Sequence, residues 1–475
     1  MSIQIYNSLS GEKEEFKPIE PWKIRMYACG ITPQSSSHIG HAVSAIRFAF
    51  IRKYLEFSGY SVSYVENVTD IDDKIIVKSK ELNRSVRDIA EENYNEYRSL
   101  LNQICVPLPT HTPKATQYVD KIIDYINVLI EKNYAYIADN GDVYFDVRKK
   151  EDYFKLSKRK HDQSISGTRV IVRENKRDLA DFGLWKITDD GENFDSPWGR
   201  GRPGWHIECS TMANDLLGEV IDIHCGGLDL LFPHHENEIA QSEAHNGHEY
   251  VNYWIHSGLL TINGEKMSKS LNNFITLKDG LDTYGAELLV WSILRHNYRS
   301  SIDLTDKLFA DNLNLILKFY NFFDRFPKIY EYQDFKHSDL NQDILSEFNK
   351  LMNDDFHTPK VIVLMQKYLE EASKKSNDEA EAIALTLFKL GRILGLFTSN
   401  ESTEIKNQLL KYQSKRKNLK EELTLEKILT LIDEVRESRN KNDYAKADQI
   451  RNGLSNVGVQ LNYENGGEYS WIFIL

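Results

Sequence analysis

The sequence predicts an α/β protein with a parallel sheet, an inserted domain, a following helical bundle and a small mixed C-terminal domain. Residues 22–74 have the pattern of a strand, a loop, a helix and a second strand. Residues 121–200 interrupt that pattern with a hairpin signal and a polar, irregular stretch. From residue 308 onward apolar residues recur at helical spacing. A chain of 475 residues favours about three domains.

Composition and charge narrow the class of protein. No apolar run reaches membrane-spanning length, and residues 1–20 lack a hydrophobic signal core, so we expect no membrane contact and a cytoplasmic location. Four cysteines are too few for a disulfide scaffold, which leaves them free as ligands. With a formal net charge of -12, the chain can bind nucleic acid only through local basic stretches such as residues 155–160 or 406–420.

The first strand–helix–strand unit predicts a ligand crevice. Residues 22–29 are predicted to form a buried strand and residues 42–57 a helix, because apolar side chains recur there at helical spacing. A second strand is expected at residues 60–65. Such a unit belongs to a parallel sheet, which binds ligands at the carboxyl ends of its strands.

The loop between the first strand and its helix contains two histidines. A glycine-containing loop that enters a helix N-terminus suits phosphate, because the first-turn amides and the helix dipole favour an anion. His38 and His41 would then donate hydrogen bonds to phosphate oxygens. On this pattern alone the alternative is that both are surface or internally satisfied polar residues.

Candidate metal ligands follow in the second half of the sheet. Proline suits the first helical position, so a helix from Pro233 onward would place His234 and Glu238 one turn apart on one face. Imidazole and carboxylate at that spacing can reach one divalent cation, and a thiolate from Cys209 would favour zinc. Cys29, at the end of the first strand, suits a further site residue. The alternative is a helix-surface pair with small cysteines packed in the core.

Two lysines follow the last predicted strand of the sheet. They occur in the run Lys266-Met267-Ser268-Lys269-Ser270. Lysines three residues apart in a loop with serine hydroxyls can neutralise phosphate charge as it develops in a transition state. The alternative is a solvated basic turn.

Further along, residues 398–424 are predicted to be a linker or an exposed helix, residues 425–454 a helix and residues 458–475 a small β element.

Together these features resemble one family. Cys29, the run His38-Ile39-Gly40-His41, Cys209 with the block from His234 to Glu238, and residues 266–270 closely resemble the cysteinyl-tRNA synthetases, a family of class I aminoacyl-tRNA synthetases. The likeness extends through residues 68–74, 181–186, 196–199, 354–359 and 444–451, and thus covers nearly the whole chain.

The resemblance implies a set of site residues. Cys29, Cys209, His234 and Glu238 would bind one Zn²⁺ per chain, which takes the substrate thiolate as an extra ligand. Gly30, Thr69 and Trp205 would line the cysteine pocket. ATP, with Mg²⁺, would be bound by His38, Gly40, His41, His224, Asp229, Lys266, Ser268 and Lys269. His38, His41, Lys266 and Lys269 would be catalytic.

The resemblance also implies the reaction and the domain organisation. The enzyme would be a cysteine--tRNA ligase that activates L-cysteine with ATP, releases pyrophosphate and transfers cysteine to the 3′ end of tRNA(Cys), and we expect a monomer. The implied fold is a class I synthetase Rossmann-type sheet in two halves, 1–120 and 201–260, around a connective subdomain at 121–200. The remaining domains would be the lysine-loop and stem-contact region at 261–307, a tRNA-binding helical bundle at 308–400, and a linker with an anticodon-binding domain at 401–475.

Two departures from the family pattern leave alternatives open. Residues Ile31, Pro33, Gln34 and Ser35 differ from the usual loop. The stretches Gly30 to Pro33 and His41-Ala42 are similar to a paralogous ligase that joins activated cysteine to the amine of a glucosaminyl-inositol. That paralogue lacks the terminal domain predicted here. The C-terminus reads Trp471-Ile472-Phe473 where the family has Trp and arginines.

Two further functions stay open on the sequence alone. A cysteine or RNA sensor is one, although a sensor has no need of His38, His41, Lys266 and Lys269 together. Persulfide formation with pyridoxal phosphate is the other, on lysines near Lys74, Lys78, Lys266 and Lys269.

Overall fold

The structure, a computed structural model, describes residues 2–160, 175–267, 273–331, 339–463 and 469–474, and of Lys266 only the backbone. The strands are β1 (Gln4–Asn7), β2 (Glu12–Glu15), β3 (Lys23–Ile31), β4 (Ser61–Val68), β5 (Ala135–Ile137), β6 (Val143–Phe145), β7 (Phe182–Ile187), β8 (Gly201–Pro203), β9 (Ile221–Gly227), β10 (Val251–Ser257), β11 (Leu260–Ile262), β12 (Glu265–Lys266), β13 (Ile302–Leu304), β14 (Val459–Tyr463) and β15 (Tyr469–Phe473). The helices are α1 (Ile39–Phe57), α2 (Asp73–Leu82), α3 (Val86–Gln103), α4 (Val119–Glu131), α5 (Trp205–Leu217), α6 (Glu236–Asn246), α7 (Leu277–Tyr284), α8 (Ala286–Leu294), α9 (Asp306–Phe323), α10 (Gln342–Met352), α11 (Thr358–Ala372), α12 (Asn377–Ile393), α13 (Ser402–Arg416), α14 (Leu425–Asn440) and α15 (Tyr444–Asn456).

A four-stranded parallel sheet in the order β10-β9-β3-β4 forms the centre of the first half of the chain. The predicted βαβ unit is β3-α1-β4, and the chain returns to the other side of β3 only at β9. The chain therefore leaves β3 towards β4 on one side and later continues on the other side at β9, so the strand order reverses between β3 and β9. A doubly wound sheet binds ligands at the carboxyl ends of its strands, at the point of that reversal. The α/β class and the parallel sheet are confirmed.

The insertion is a second, antiparallel sheet in the order β5-β6-β7-β8. The hairpin at β5 and β6 agrees with the sequence pattern. The following stretch was expected to be irregular, yet it contains β7, which pairs with β6 through residues such as Trp185 and Phe182. Trp185 is fully buried, so packing in this second core stabilises β7. The strand was not predicted, because the residues around it in the sequence are mostly polar.

A small sheet in the order β12-β11-β13 follows the central one. β11 pairs in parallel with β13 and antiparallel with β12, so residues before and after α7 and α8 meet in one sheet. This arrangement carries Lys266 at the end of β12 and leads into residues 268–272, which lie outside the described part of the chain.

The second half is helical, as the periodicity predicts. One continuous hydrophobic core joins the α1 side of the central sheet to the helices from α8 onward and to β14 and β15. The predicted single helix at 425–454 is two helices, α14 and α15, separated by a turn at residues 441–443.

The prediction of a linker or exposed helix at residues 398–424 is wrong for α13. Leu409 and Leu410 are buried in the common core, and Lys406 forms an ion pair with Asp324 of 2.6 Å. Charged residues occupy the solvent side of α13, so the helix has a high overall content of charged residues although its other side is apolar and buried.

The N-terminal residues form the hairpin of β1 and β2. Asn7 anchors it to the central sheet, because its side chain donates to the carbonyl of Asn252 at 2.9 Å and accepts from the Trp254 amide at 3.1 Å. Among the helices that the structure describes, none is both long enough and apolar enough to cross a bilayer.

Candidate functional site

Four side chains from three separate segments meet near the carboxyl end of β3. Cys29 is on β3, Cys209 lies in α5, and His234 and Glu238 lie in the turn before α6 and in its first turn. The potential ligand atoms of these four residues all lie within 4.8 Å of one another. Cys209, His234 and Glu238 are almost completely buried. The structure thus brings together the four residues predicted to hold a metal.

The distances among these atoms fit a tetrahedral cation site. Sγ of Cys29 lies 3.9 Å from Sγ of Cys209 and 3.2 Å from Oε1 of Glu238. Nε2 of His234 lies 3.6 Å from Sγ of Cys209 and 3.1 Å from Oε1 of Glu238. Ordinary zinc bond lengths in a regular tetrahedron give about 3.8 Å between sulfurs, about 3.6 Å from sulfur to nitrogen or oxygen, and about 3.3 Å from nitrogen to oxygen. A donor set of two sulfurs, one nitrogen and one oxygen therefore suits zinc.

The charges in this group favour cation binding. The hydrogen bond from Cys29 lowers the pKa of Cys209 to about 6 despite burial, whereas burial raises the pKa of Cys29 well above its ordinary value. Burial would raise the pKa of Glu238, but the neighbouring His224 and His234 hold it well below its ordinary value. Burial would lower the pKa of His234, but Glu238 and Cys209 raise it to about 10, so without a metal a protonated His234 compensates the buried thiolate and carboxylate. A divalent cation can replace that proton and bind the same atoms.

A second set of four candidate ligands overlaps the first. Cys29, His224, His235 and Glu238 also satisfy the distance criterion for one cation. His224 Nε2 lies 2.9 Å from Oε2 of Glu238, and His235 Nε2 lies 3.5 Å from Sγ of Cys29. The two sets share Cys29 and Glu238, so they are alternative ligand sets of one site. Only the first set contains two cysteine sulfurs, which is the feature that favours zinc over harder cations.

Histidines outside the predicted ligand set surround the cluster. Nδ1 of His206 lies 2.7 Å from Nδ1 of His234, and burial lowers the pKa of His206 well below its ordinary value. A neutral His206 can accept the Nδ1 proton of His234, which fixes the tautomer that presents Nε2 to a metal. Nδ1 of His235 lies 2.9 Å from Nε2 of His256 in the same way. Sequence reasoning missed His206, His235 and His256; their one signal is that five histidines fall in four short segments around the ligands.

The residues predicted to line a cysteine pocket adjoin the metal group. The ring of Trp205 stacks on His234 at 4.1 Å between centroids, and Trp205 is 40% exposed. The hydroxyl of Thr69 donates to Oε2 of Glu208 at 3.0 Å. Burial raises the pKa of Glu208 well above its ordinary value. Trp205 and Glu208 line a cavity of about 250 Å³ that extends to Arg202. Glu208 was not predicted from the sequence, because a single acid in a helix carries no signal.

Gly30 is required by the close approach of β3 and β4. A Cβ atom on Gly30 would lie 1.7 Å from the carbonyl oxygen of Asn67, so no side chain fits. The amide of Gly30 donates to Oδ1 of Asn67 at 2.9 Å. This contact ties the residue after Cys29 to the segment that carries Thr69.

The two histidines of the first loop lie together at the N-terminus of α1. Their rings stack at 3.7 Å between centroids, and the amide of His38 donates to Nδ1 of His41 at 3.4 Å. Burial, together with His38 and Lys74, lowers the pKa of His41 to about 3. His41 is therefore neutral at pH 7, and because Nδ1 accepts, its Nε2 carries the proton and can donate. Gly40 would place a Cβ atom 2.9 Å from the His38 ring, so a side chain there would displace the ring.

The segment that follows the lysine run is attached to these histidines. The amide of Ile39 donates to the carbonyl of Ile275 at 3.2 Å, and the amide of Leu277 donates to the carbonyl of Ser37 at 2.8 Å. The loop that carries the lysines therefore ends beside His38. Ser268 and Lys269 lie outside the described residues, as does the side chain of Lys266.

The structure separates the two residues predicted on the nucleotide side. His224 is fully buried on β9, where its ring stacks on Trp254 at 4.4 Å and its Nε2 faces Glu238. Asp229 is exposed in the turn after β9. His224 thus lies among the candidate metal ligands, and a role at the nucleotide stays a prediction for both residues.

Comparison with known proteins identifies relatives along the whole chain. A family model described as the class I (C) tRNA synthetase catalytic domain matches residues 15–314. The chain is 41% identical to a cysteine--tRNA ligase of Geobacter metallireducens, over 97% of this chain and 98% of that protein. It is 41% identical to a cysteine--tRNA ligase of Coxiella burnetii, over 99% of each chain.

Solved structures show the same fold at low sequence identity. A Mycobacterium tuberculosis methionyl-tRNA synthetase in complex with methionyl-adenylate has a TM-score of 0.56 at 13% identity, with 78% of this chain and 89% of that chain covered. The LeuRS of Agrobacterium radiobacter K84, in a ternary complex with tRNA and LeuAMS, has a TM-score of 0.58 at 10% identity, with 83% and 86% covered.

Proposed function

The chain belongs to the cysteine--tRNA ligases, a family of class I aminoacyl-tRNA synthetases, and from this premise we propose how its residues activate L-cysteine and transfer it to tRNA(Cys). The observation that carries the proposal is that the buried group of Cys29, Cys209, His234 and Glu238 and the stacked pair of His38 and His41 both lie at the carboxyl end of β3. A thiol-selective site and a phosphate site at that end of the strand suit the activation of cysteine by ATP.

We assign one Zn²⁺ to the first four-ligand set, with His206 orienting His234 from behind. When bound, zinc supplies a Lewis acid that prefers a thiolate as its additional ligand. Serine offers only a hydroxyl that stays protonated, so the site discriminates by binding and needs no editing step. Trp205 covers the His234 ring and excludes water from that side, and Thr69 with Glu208 forms the polar wall on which the amino acid is oriented.

Activation needs positioning and charge stabilisation more than proton transfer. A carboxylate oxygen of cysteine attacks the α-phosphorus of ATP, a new P–O bond forms, and the bond to the leaving pyrophosphate breaks with its electron pair. The attacking group is already ionised, so no general base is required. Neutral His41 donates from Nε2 to a phosphate oxygen beside the amides of the α1 N-terminus. Lys266 and Lys269, with Ser268 and a Mg²⁺ carried by ATP, would neutralise the pyrophosphate as it leaves.

The terminal domain suits contact with single-stranded RNA. Arg439 lies 5.5 Å from the ring centroid of Tyr463 and 5.9 Å from that of Tyr469, and Tyr463 is 61% exposed. Arg439 forms no ion pair with any residue in the described ranges. A guanidinium beside tyrosine rings offers a base a stacking surface and a phosphate a cation. We therefore propose anticodon binding for this domain and tRNA stem contacts for the bundle.

The rival acceptor is a small amine, as in the paralogous cysteine ligase. It is not favoured, because the alignments with two cysteine--tRNA ligases cover 97% and 99% of this chain and so include the terminal domain. The monomeric state and the cytoplasmic location stay predictions.

One experiment tests the proposed function. Purified protein is incubated with radiolabelled cysteine, ATP and total tRNA, with labelled serine as the matched control. Label from cysteine should become acid-precipitable and nuclease-sensitive, whereas label from serine should not. Activation of cysteine without transfer to any tRNA would contradict the tRNA acceptor and favour the amine.

A further inference from the structure

A fully buried arginine lies in the helix that begins at the two histidines. Arg47, in α1, has no exposed surface. Its Nη1 donates to Oγ of Ser257 at 3.0 Å and to the carbonyl of Gly258 at 2.8 Å. Its Nη2 donates to the carbonyl of Ser300 at 2.9 Å and lies 3.5 Å from that of Asn297. We call these five residues the Arg47 cluster.

All four hydrogen-bond acceptors of the Arg47 guanidinium are neutral groups. Burial lowers the pKa of Arg47 to about 10, so the guanidinium is still charged at pH 7. No carboxylate among the residues that the structure describes forms an ion pair with it. Two of its acceptors, the carbonyls of Asn297 and Ser300, lie in the segment between α8 and β13. Burying a charge in this way costs free energy, and an apolar side chain would pack there at less cost.

The acceptors of Arg47 lie where the small sheet begins. Ser257 is the last residue of β10, and Gly258 connects it to β11. Residues 297–300 lead into β13, which pairs with β11. The two segments touch, because a Cβ atom on Gly258 would lie 2.3 Å from the carbonyl oxygen of Ser300. One guanidinium therefore joins α1 to both segments that enter the sheet carrying Lys266.

The far end of the same loop is also attached to the start of α1. The loop from residue 263 to residue 275, which we call the lysine loop, ends in the backbone hydrogen bonds of Ile275 with Ile39 and of Leu277 with Ser37. Its beginning is linked to α1 through β11, β12 and the Arg47 cluster, through a 3.4 Å hydrogen bond from Ser44 to Ser257, and through Met267, whose side chain lies beside Gly40. Arg47 lies nine residues, or about two and a half turns, beyond His38 on the same helix.

We propose that Arg47 is a positioning residue for the ATP step, because it fixes the base of the lysine loop relative to His38 and His41. This inference rests on the proposed function and extends it to a residue outside the phosphate and zinc sites. Arg47 contacts none of Cys29, Cys209, His234 and Glu238. Its loss should therefore disturb the placement of Lys266 and Lys269 at the leaving pyrophosphate while cysteine binding is preserved.

The expected effect is a division between kcat and KM. A displacement of catalytic groups by about 1 Å costs roughly a hundredfold in rate. Arg47→Met, which keeps the apolar stem and removes all four hydrogen bonds, should lower kcat of cysteine-dependent pyrophosphate exchange by roughly 10- to 100-fold and change the cysteine KM by less than about twofold. Arg47→Lys retains the charge and some of the carbonyl contacts, so it should recover part of the lost kcat.

The matched control is Arg52→Met on the same helix. Arg52 donates to Glu56 at 2.8 Å and to the carbonyl of Leu108 at 2.7 Å, away from the small sheet. It should leave both kinetic constants unchanged. Zinc content and urea unfolding are measured for every variant, so that a loss of folded protein is recognised. Ser257→Ala removes one acceptor and keeps the cation, so it serves if Arg47→Met does not fold, with an expected fall in kcat of about two- to fivefold.

The possible outcomes test the role of Arg47 and the proposed function separately. A fall in kcat at constant cysteine KM in the Arg47 variants, with Arg52→Met unaffected, supports the proposal. Folded Arg47 variants with wild-type kcat, or with a cysteine KM that rises as much as kcat falls, overturn it. An absence of cysteine-dependent exchange in the wild-type enzyme overturns the proposed function, and this inference with it.

Discussion

Replacement of Cys209 by serine tests the metal site most directly. Cys209 supplies one of the two sulfurs and two of the four measured contacts in the group, at 3.9 Å to Cys29 and 3.6 Å to His234. Structural zinc sites in small peptides bind with about 10–16 kcal/mol, so one ligand of four accounts for about 3 kcal/mol. That free energy corresponds to a decrease in zinc affinity of roughly a hundredfold.

The assay has two parts. Zinc per chain is measured by elemental mass spectrometry after dialysis against graded concentrations of a chelator, and the Cys209→Ser enzyme should lose zinc at a chelator activity about a hundredfold lower than the wild type does. In pyrophosphate exchange, the cysteine KM should rise by at least about tenfold and the ATP KM by less than about twofold, because His38 and His41 do not contact Cys209.

The control is Cys225→Ser. Cys225 is also fully buried, on the neighbouring strand β9, yet it belongs to neither group of candidate ligands. It should retain zinc and cysteine affinity even if the buried hydroxyl lowers the free energy of unfolding. The reasoning is refuted if Cys209→Ser holds a full equivalent of zinc as firmly as the wild type, or if Cys225→Ser loses zinc to the same extent.

Three further predictions follow from the same geometry. Lys269→Ala should slow adenylate formation with little change in cysteine affinity, because its charge acts mainly on the developing pyrophosphate; a rise in cysteine KM at unchanged kcat would contradict that role. Truncation after residue 422, which keeps the buried helix α13 that a cut near residue 400 would remove, should leave pyrophosphate exchange nearly intact and severely reduce tRNA charging. Equal charging by the truncated and full chains would exclude anticodon reading by the terminal domain. Stability should fall as pH falls below about 6.5: burial lowers the pKa of His41 and of His256 to about 3, so the unfolded chain takes up protons first and each histidine costs up to about 1.4 kcal/mol per pH unit between these values. Urea unfolding at pH 7.5 and 5.5 measures this, His41→Gln should show a shallower decline, and an equal or higher stability at pH 5.5 would show that the histidines are not held neutral.

Local patterns determined much of the first half of the chain. The βαβ unit of β3, α1 and β4 could be predicted from the sequence, because the periodicity of a strand or a helix depends on residues only a few positions apart. The pairing of His234 with Glu238 was readable for the same reason, since four residues make one helical turn. The sequence order of Cys29, His38 to His41, Cys209 and the lysine run sufficed to identify the family.

Long-range packing decided the rest. Polar composition concealed β7 and α13, and both are stabilised by burial against elements far away in sequence, such as Phe145 for β7 and the residues of α9 for α13. The histidine neighbours of the ligands were likewise invisible, because His206 reaches His234 only when α5 and the turn before α6 pack together.

The sequence by itself therefore determined the family, the parallel sheet and the identity of the four candidate ligands, because motif order and short periodicities are properties of the chain. Only the tertiary structure decided that the ligand atoms approach within tetrahedral distances, that His224 lies among them, and that Arg47 joins α1 to the base of the lysine loop. The hydrogen bond between Arg47 and Ser300 joins residues 253 positions apart, so it depends on how the elements pack, and no local pattern encodes that contact.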